Sequence, residues 1–167
     1  MEKQIIGINC LVSIGSHKKI PAKIDTGADS SSIWVSNVHF DEQEGMLSFS
    51  LFGKDSPYYN GEILKTQNYK VAKIKSSMGH VQYRFKVQLP IKIEGRKINA
   101  WFNMSNRINN KFPILIGRYT LRGKFLVDPS INLFKKLTKT KKVGLKDNLT
   151  KEEINQIVQK SNAKSIE

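Results

Sequence analysis

One segment combines residue types and spacing that can do hydrolytic chemistry: Ile24-Asp25-Thr26-Gly27-Ala28-Asp29-Ser30-Ser31-Ser32-Ile33. An apolar run from Ile20 to Ile24 delivers Asp25 into a tight turn, Thr26 and Gly27 follow, and Ser32 to Val35 returns to an extended pattern. A carboxylate held on such a turn can take a proton from water or give one to a carbonyl oxygen. Asp-x-Gly is also a common turn former, so this segment alone sets no function. Late in the chain, Phe112-Pro113-Ile114-Leu115-Ile116-Gly117-Arg118-Tyr119-Thr120-Leu121 joins an apolar run to a Gly-Arg and a short stretch able to form a helix. Metal chemistry finds no ligand set: there is no H-E-x-x-H, and His17, His39, His80 and Cys10 are isolated. The histidines read as turn or surface residues, and Cys10 as a small buried hydrophobe in a strand. No glycine-rich phosphate loop is present, so no cofactor is expected.

The elements that must position these residues are strands. Gln4 to Ile14 is rich in β-branched side chains without helical period, and Gly15 to Lys19 reads as a turn before the strand Ile20 to Asp25. Met46 to Phe52 alternates, with Met46, Ser48, Ser50 and Phe52 on one side and Leu47, Phe49 and Leu51 on the other. Tyr69 to Lys75 and Val81 to Ile93 alternate around a turn at Ser76-Ser77-Met78-Gly79, with Pro90 interrupting the second run. Glu94-Gly95-Arg96 is a further tight turn before Ile98 to Phe102. Short strands with turn signals at this spacing predict an all-β sandwich or barrel over residues 1–134. Residues 135–167 change texture. A basic, polar linker over 135–149 precedes a short helix that Thr150 and Glu153 open as a capping box, with Ile154, Ile157 and Val158 on one face.

The Asp-Thr-Gly-Ala turn between strands resembles the active-site loop of retropepsins and pepsins. The late apolar-apolar-Gly-Arg resembles the retropepsin motif in the ψ-shaped loop behind the catalytic aspartate. Four stretches narrow the likeness: Lys75 to Phe85, Met104-Ser105-Asn106-Arg107, Phe112 to Arg118, and Phe125-Leu126-Val127-Asp128-Pro129-Ser130. Together they resemble a bacterial family described as ATP-dependent zinc proteases, also called RimB-like and linked to RimK-type ATP-grasp peptide ligases. The likeness covers residues 4–134. That family usually reads Arg or Lys-Thr-Ser-Ser-Leu-His after the Asp-Thr-Gly-Ala, whereas Asp29-Ser30-Ser31-Ser32-Ile33-Trp34 stands here, closer to the retroviral form.

The resemblance implies a retropepsin-like closed barrel with a ψ-loop and a short helix, and an aspartic-type peptide hydrolase with Asp25 as its catalytic residue. It implies that Thr26, Gly27 and Ala28 form the active-site loop and dimer contact, with Thr26 bonding across the axis. It also makes Asp29 and Arg118 a structural or substrate-binding pair. Such hydrolysis needs two carboxylates sharing one proton and a water. The chain has one Asp-Thr-Gly and no internal repeat, so a symmetric homodimer must supply the second Asp25. The hairpin over 69–85 is the expected flap, with its tip at Ser76, Ser77, Met78 and Gly79.

Charge bounds the partners. Twenty-eight Lys and Arg against 14 Asp and Glu give a net charge of +14, a field that favours acidic peptides, nucleic acid or anionic surfaces without choosing among them. An acidic or ligase-modified peptide substrate, and association with an ATP-grasp peptide ligase, are the partners the resemblance adds. A single cysteine, no apolar run long enough to span a bilayer, and no signal-like start together predict a cytoplasmic protein. Two other readings stay open. One is a non-catalytic dimeric binding module of the same fold. The other is a nucleic-acid or ribosome-associated protein using the lysines of 135–146, for which no aromatic-basic motif exists.

Overall fold

The structure is a computed structural model that describes residues 2–75 and 79–134. The basic linker and C-terminal helix expected over 135–167, and Ser76, Ser77 and Met78 of the expected flap tip, lie outside the described residues. Among the described residues, eleven strands and one short helix follow in order: β1 (Gln4–Ile6), β2 (Asn9–Ile14), β3 (His17–Asp25), β4 (Ser31–Asp41), β5 (Met46–Leu51), β6 (Leu64–Thr66), β7 (Tyr69–Lys75), β8 (Val81–Ile93), β9 (Arg96–Ser105), β10 (Ile114–Gly117), α1 (Arg118–Leu121) and β11 (Phe125–Val127).

Strand pairing closes a ring of six: β10 to β3, β3 to β2, β2 to β8, β8 to β9, β9 to β4, and β4 back to β10. This is the expected closed all-β barrel, and closure leaves those six strands without an open edge inside the ring. Its interior is filled by inward residues of alternate positions, among them Val12, Ile20, Ala22, Ile24, Ile33, Phe102, Ile114 and Ile116. β10 is the strand that makes the topology unusual. It runs parallel to β3, placing Gly117 beside Asp25, and antiparallel to β4, placing Leu115 beside Ser32. A late strand therefore inserts between the two strands that flank the Asp25 turn, which is the ψ-loop. Outside the barrel, β5 and β6 extend the β4 edge, and β1 pairs with β11 in a separate parallel pair.

Local chemistry explains where the elements start and stop. Glu94 and Gly95 both have positive φ, 46° and 82°, so the β8–β9 hairpin closes through a two-residue turn whose twist matches its strands. Pro90 does not end β8. Along one edge β8 pairs with β7 as far as Val87 and with β2 from Ile91, so Pro90 falls in the gap where no donor is needed. Phe52, read as continuing the alternation of Met46, Ser48 and Ser50, lies just past the end of β5 and has a φ of 67°, outside strand geometry. Its ring is fully buried and packs edge-on against His17. His17 is accordingly a buried residue at the start of β3, not a turn or surface histidine. Among the described residues no helix is long and apolar enough to cross a membrane.

Cys10 lies in β2, fully buried, as its residue type predicts. Burial, reinforced by the Glu94 carboxylate, pushes its thiol up to about 12 from an ordinary 9.0. The folded chain thus keeps a proton that an unfolded chain releases, so stability from this group is present below about pH 9 and declines as pH rises towards about 12. Urea midpoints followed through that window should fall less steeply for Cys10→Ala than for the wild type. Equal slopes would remove the effect.

Candidate active site

Asp25 is the last residue of β3, and its side chain is 31% exposed. The turn that follows fixes one carboxylate oxygen: Oδ1 accepts the backbone N–H of Gly27 at 3.1 Å and of Ala28 at 3.2 Å. The turn thus occupies Oδ1, while Oδ2 takes no part in those bonds. Lys23 Nζ stands 3.9 Å from Oδ2. Thr26 and Gly27 are exposed and Ala28 is half-buried. A Cβ on Gly27 would lie 3.4 Å from Asp25 Oδ1, an ordinary contact, so nothing within the chain demands glycine there.

β10 and α1 hold this turn from behind. Ala28 C=O accepts the Arg118 N–H at 2.8 Å, and Asp29 C=O accepts the Tyr119 N–H at 3.1 Å. The Arg118 and Asp29 side chains form an ion pair, as their motif positions predict, but both are more than half exposed. In that setting the pair contributes under about 1 kcal/mol, and the backbone bonds are the firmer brace. Ser31 supplies a second, buried brace. Its Oγ accepts the Gly117 N–H at 3.1 Å and shares a hydrogen bond of 2.7 Å with Thr120 Oγ1. Removing that hydroxyl leaves two buried groups unsatisfied, so Ser31→Ala should cost about 1–3 kcal/mol. A chemical-denaturation midpoint equal to wild type would show that the brace carries no stability.

Strand alternation shows what shares a face with Asp25. Lys23 lies two residues earlier in β3, Leu115 is its partner in β10, and Ser32 is the partner of Leu115 in β4. Ala22, Ile24, Ile33, Ile114 and Ile116 occupy the opposite, interior face. Beyond Ser32 a cavity of about 650 Å³ opens between β4, β8, the end of β9 and the loop that follows it. Tyr83, Phe85, Ser105 and Arg107 are among its lining residues. Of the expected flap tip, only Gly79 is described, exposed and at a φ of 84°. Lys23 and the Ser31–Thr120 pair are the site residues that motif reading misses. The period of β3 points to Lys23, while nothing local points to Ser31. Among the described residues no three His, Cys, Asp or Glu side chains cluster to hold a metal.

A closed barrel whose ψ-loop carries Asp-Thr-Gly at the end of one strand defines a retropepsin-like domain. The family model for the retropepsin-like aspartic endopeptidase RimB matches residues 5–138, and the chain belongs to that RimB-like family. Relatives in Shewanella halifaxensis and Shewanella pealeana, each named a probable alpha-L-glutamate ligase, are 32% and 34% identical over 66% of this chain. One of the same name in Desulfotalea psychrophila is 27% identical over 80%. The matched part of this chain spans 25% to 29% of the length of these curated relatives. A solved Legionella pneumophila protein of unknown function shares the fold, with a TM-score of 0.63 at 24% identity, covering 78% of this chain and 97% of that one.

Proposed function

We propose that this chain is an aspartic-type peptide hydrolase that works as a symmetric dimer, each subunit contributing one Asp25. The observation that carries this reading is the Asp25 carboxylate itself. One oxygen is fixed by two backbone N–H groups, and the turn is braced by a strand inserted from the far end of the domain. Across a two-fold axis two such carboxylates share one proton, because two like charges so close cannot both ionise. The ionised member takes a proton from water as its oxygen attacks the scissile carbonyl carbon. The protonated member gives its proton to the carbonyl oxygen. Collapse of the tetrahedral intermediate breaks the C–N bond as the nitrogen takes the proton that the first carboxylate drew from water. A hydroxyl of the intermediate returns a proton to the second, leaving a carboxylic acid, a free amine and the dyad as it began.

A surface beside the site supports the dimer. Ile5 and Leu126, cross-strand partners of the β1–β11 pair, are 64% and 53% exposed. Leu126 lines one cavity with Thr26 and Tyr119. A pair of exposed apolar residues next to the active-site turn suits a partner copy. Charge supports an acidic or ligase-modified peptide as substrate: the net charge is +14, and Lys23 stands beside Asp25. The relatives named as ligases support an association with an ATP-grasp peptide ligase. They also favour a second reading, in which the domain is a non-catalytic dimeric binding module.

The test is direct. The purified chain is incubated at low salt with acidic and neutral peptides from acid to neutral pH, and products are read by mass spectrometry. Cleavage of amide bonds supports the hydrolase. A dimer that cuts nothing but retains a partner would give the module reading its place. Acidic and neutral peptides cut at equal rates would remove the acidic preference alone.

A further inference from the structure

The cavity beyond Ser32 contains a cation that nothing in the hydrolytic reading uses. Arg107 is half-buried at the start of the loop between β9 and β10, and it lines the cavity with Ser32, Ser105, Asn106 and Asn110. Its Nε donates to the Phe112 carbonyl at 3.0 Å, which anchors the side chain and leaves the two terminal nitrogens for other partners. Among the described residues no carboxylate lies within ion-pair distance of it. Desolvation lowers its pKa, the mark of a cation held partly out of water without a counter-charge. A guanidinium in that state, with polar neighbours and open space before it, is suited to a carboxylate that binds through two parallel hydrogen bonds.

Position ties the cavity to the reaction. Ser32 lies two strands across and two residues along from Asp25 on the same face, about 12 Å away by strand spacing and rise. An extended peptide covers that distance in about three to four residues. We propose that Arg107 is a specificity-determining residue: it receives the carboxylate of an acidic substrate side chain a few residues from the bond to be cut. This rests on the hydrolase reading for its place in a reaction, but the subsite itself is a binding claim and can be tested apart from cleavage.

The experiment uses peptides that differ only by Glu or Gln, stepped through positions flanking the cut, with the full chain. Wild type should prefer Glu at one position by about 10-fold in kcat/KM, carried mainly by KM, as expected for one charge-assisted contact. Arg107→Met should bring that ratio towards one, and Arg107→Lys should keep part of it, since charge survives without the fork. Arg107 also anchors its loop, so Arg107→Met can fail for stability alone. Asn110→Asp answers that difficulty, because it places a competing carboxylate on an exposed lining residue and should abolish the preference in a folded chain. A Glu preference that survives in folded Arg107→Met and Asn110→Asp overturns the proposal. A parallel arm measures binding of fluorescent tetraglutamate and tetraglutamine to Asp25→Asn protein, with and without Asn110→Asp. Glu-selective binding that disappears in the double variant, with no peptide cut by wild type, supports the subsite and sinks the hydrolase. Cleavage without any Glu preference does the reverse.

Discussion

Asp25→Asn is expected to lower peptidase kcat/KM by about 10⁴-fold, the upper end of what positioned acid–base groups contribute. The loss is large because the proposed dimer is symmetric, so one substitution removes both members of the dyad. Asparagine can neither hold the shared proton nor take one from water. It can still accept the two backbone N–H bonds that Oδ1 accepts, so the turn should persist. The ion pair between Lys23 and Asp25 is partly exposed, spans 3.9 Å, and contributes under about 1 kcal/mol. Thermal midpoint and dimerisation should therefore stay near wild type while activity disappears. Mixing gives the stoichiometric check: if wild-type and variant subunits exchange freely in equal amounts, about a quarter of the dimers retain two aspartates. Activity should fall to about that quarter rather than to half. Undiminished cleavage by the variant would end the catalytic reading, and a linear mixing curve would end the shared dyad.

Gly117→Ala is the second large effect, and its cause is space. Gly117 has φ −86° and ψ 170°, values open to any residue, so backbone conformation does not require glycine. A Cβ there would lie 2.6 Å from both the carbonyl carbon and oxygen of Ser30 and 2.9 Å from the Ala28 oxygen. These are backbone atoms of the Asp25 turn, tied to β10 and α1 by the Ser31 and Arg118 bonds, and no side chain can swing aside to relieve the clash. Forced apart, the two segments should lose about 1–3 kcal/mol, the usual cost of overpacking. The same displacement moves Asp25, and a shift near 1 Å in a catalytic group costs about 10²-fold in rate. Denaturant titration and kcat should fall together. A Gly117→Ala protein as stable and active as wild type would show that β10 does not brace the turn.

The parts of this architecture legible from sequence are those with local or motif-borne signals. Alternation and turn residues revealed the strands, and two short motifs placed Asp25, Asp29, Gly117 and Arg118 within one loop system. Lys23 was readable too, since a strand of period two puts residue 23 on the face of residue 25. The buried brace was not readable, because Ser31 meets Gly117 and Thr120 across 86 and 89 residues, and serine at that position resembles any loop serine. Phe52 escaped for a different reason. A left-handed φ in a residue with a bulky side chain is rare and leaves no pattern, so nothing in the alternation of 46–52 marks where β5 ends. His17 was misread for a related reason, since it packs against that buried ring from a position distant in sequence.

The insertion of β10 between β3 and β4 also sets a timetable for synthesis. A nascent chain that has exposed Asp25 and β4 still lacks the strand that belongs between them, and residue 117 follows residue 25 by most of the domain. At ribosomal rates of about 5–20 residues per second, that interval is roughly 5–20 s. During it the Asp25 turn has neither the Ser31–Gly117 bond nor the Arg118 brace behind it. The aspartate is thus among the first parts of the domain to be made and among the last to be set in place, and a chain broken before Arg118 carries the motif without its support.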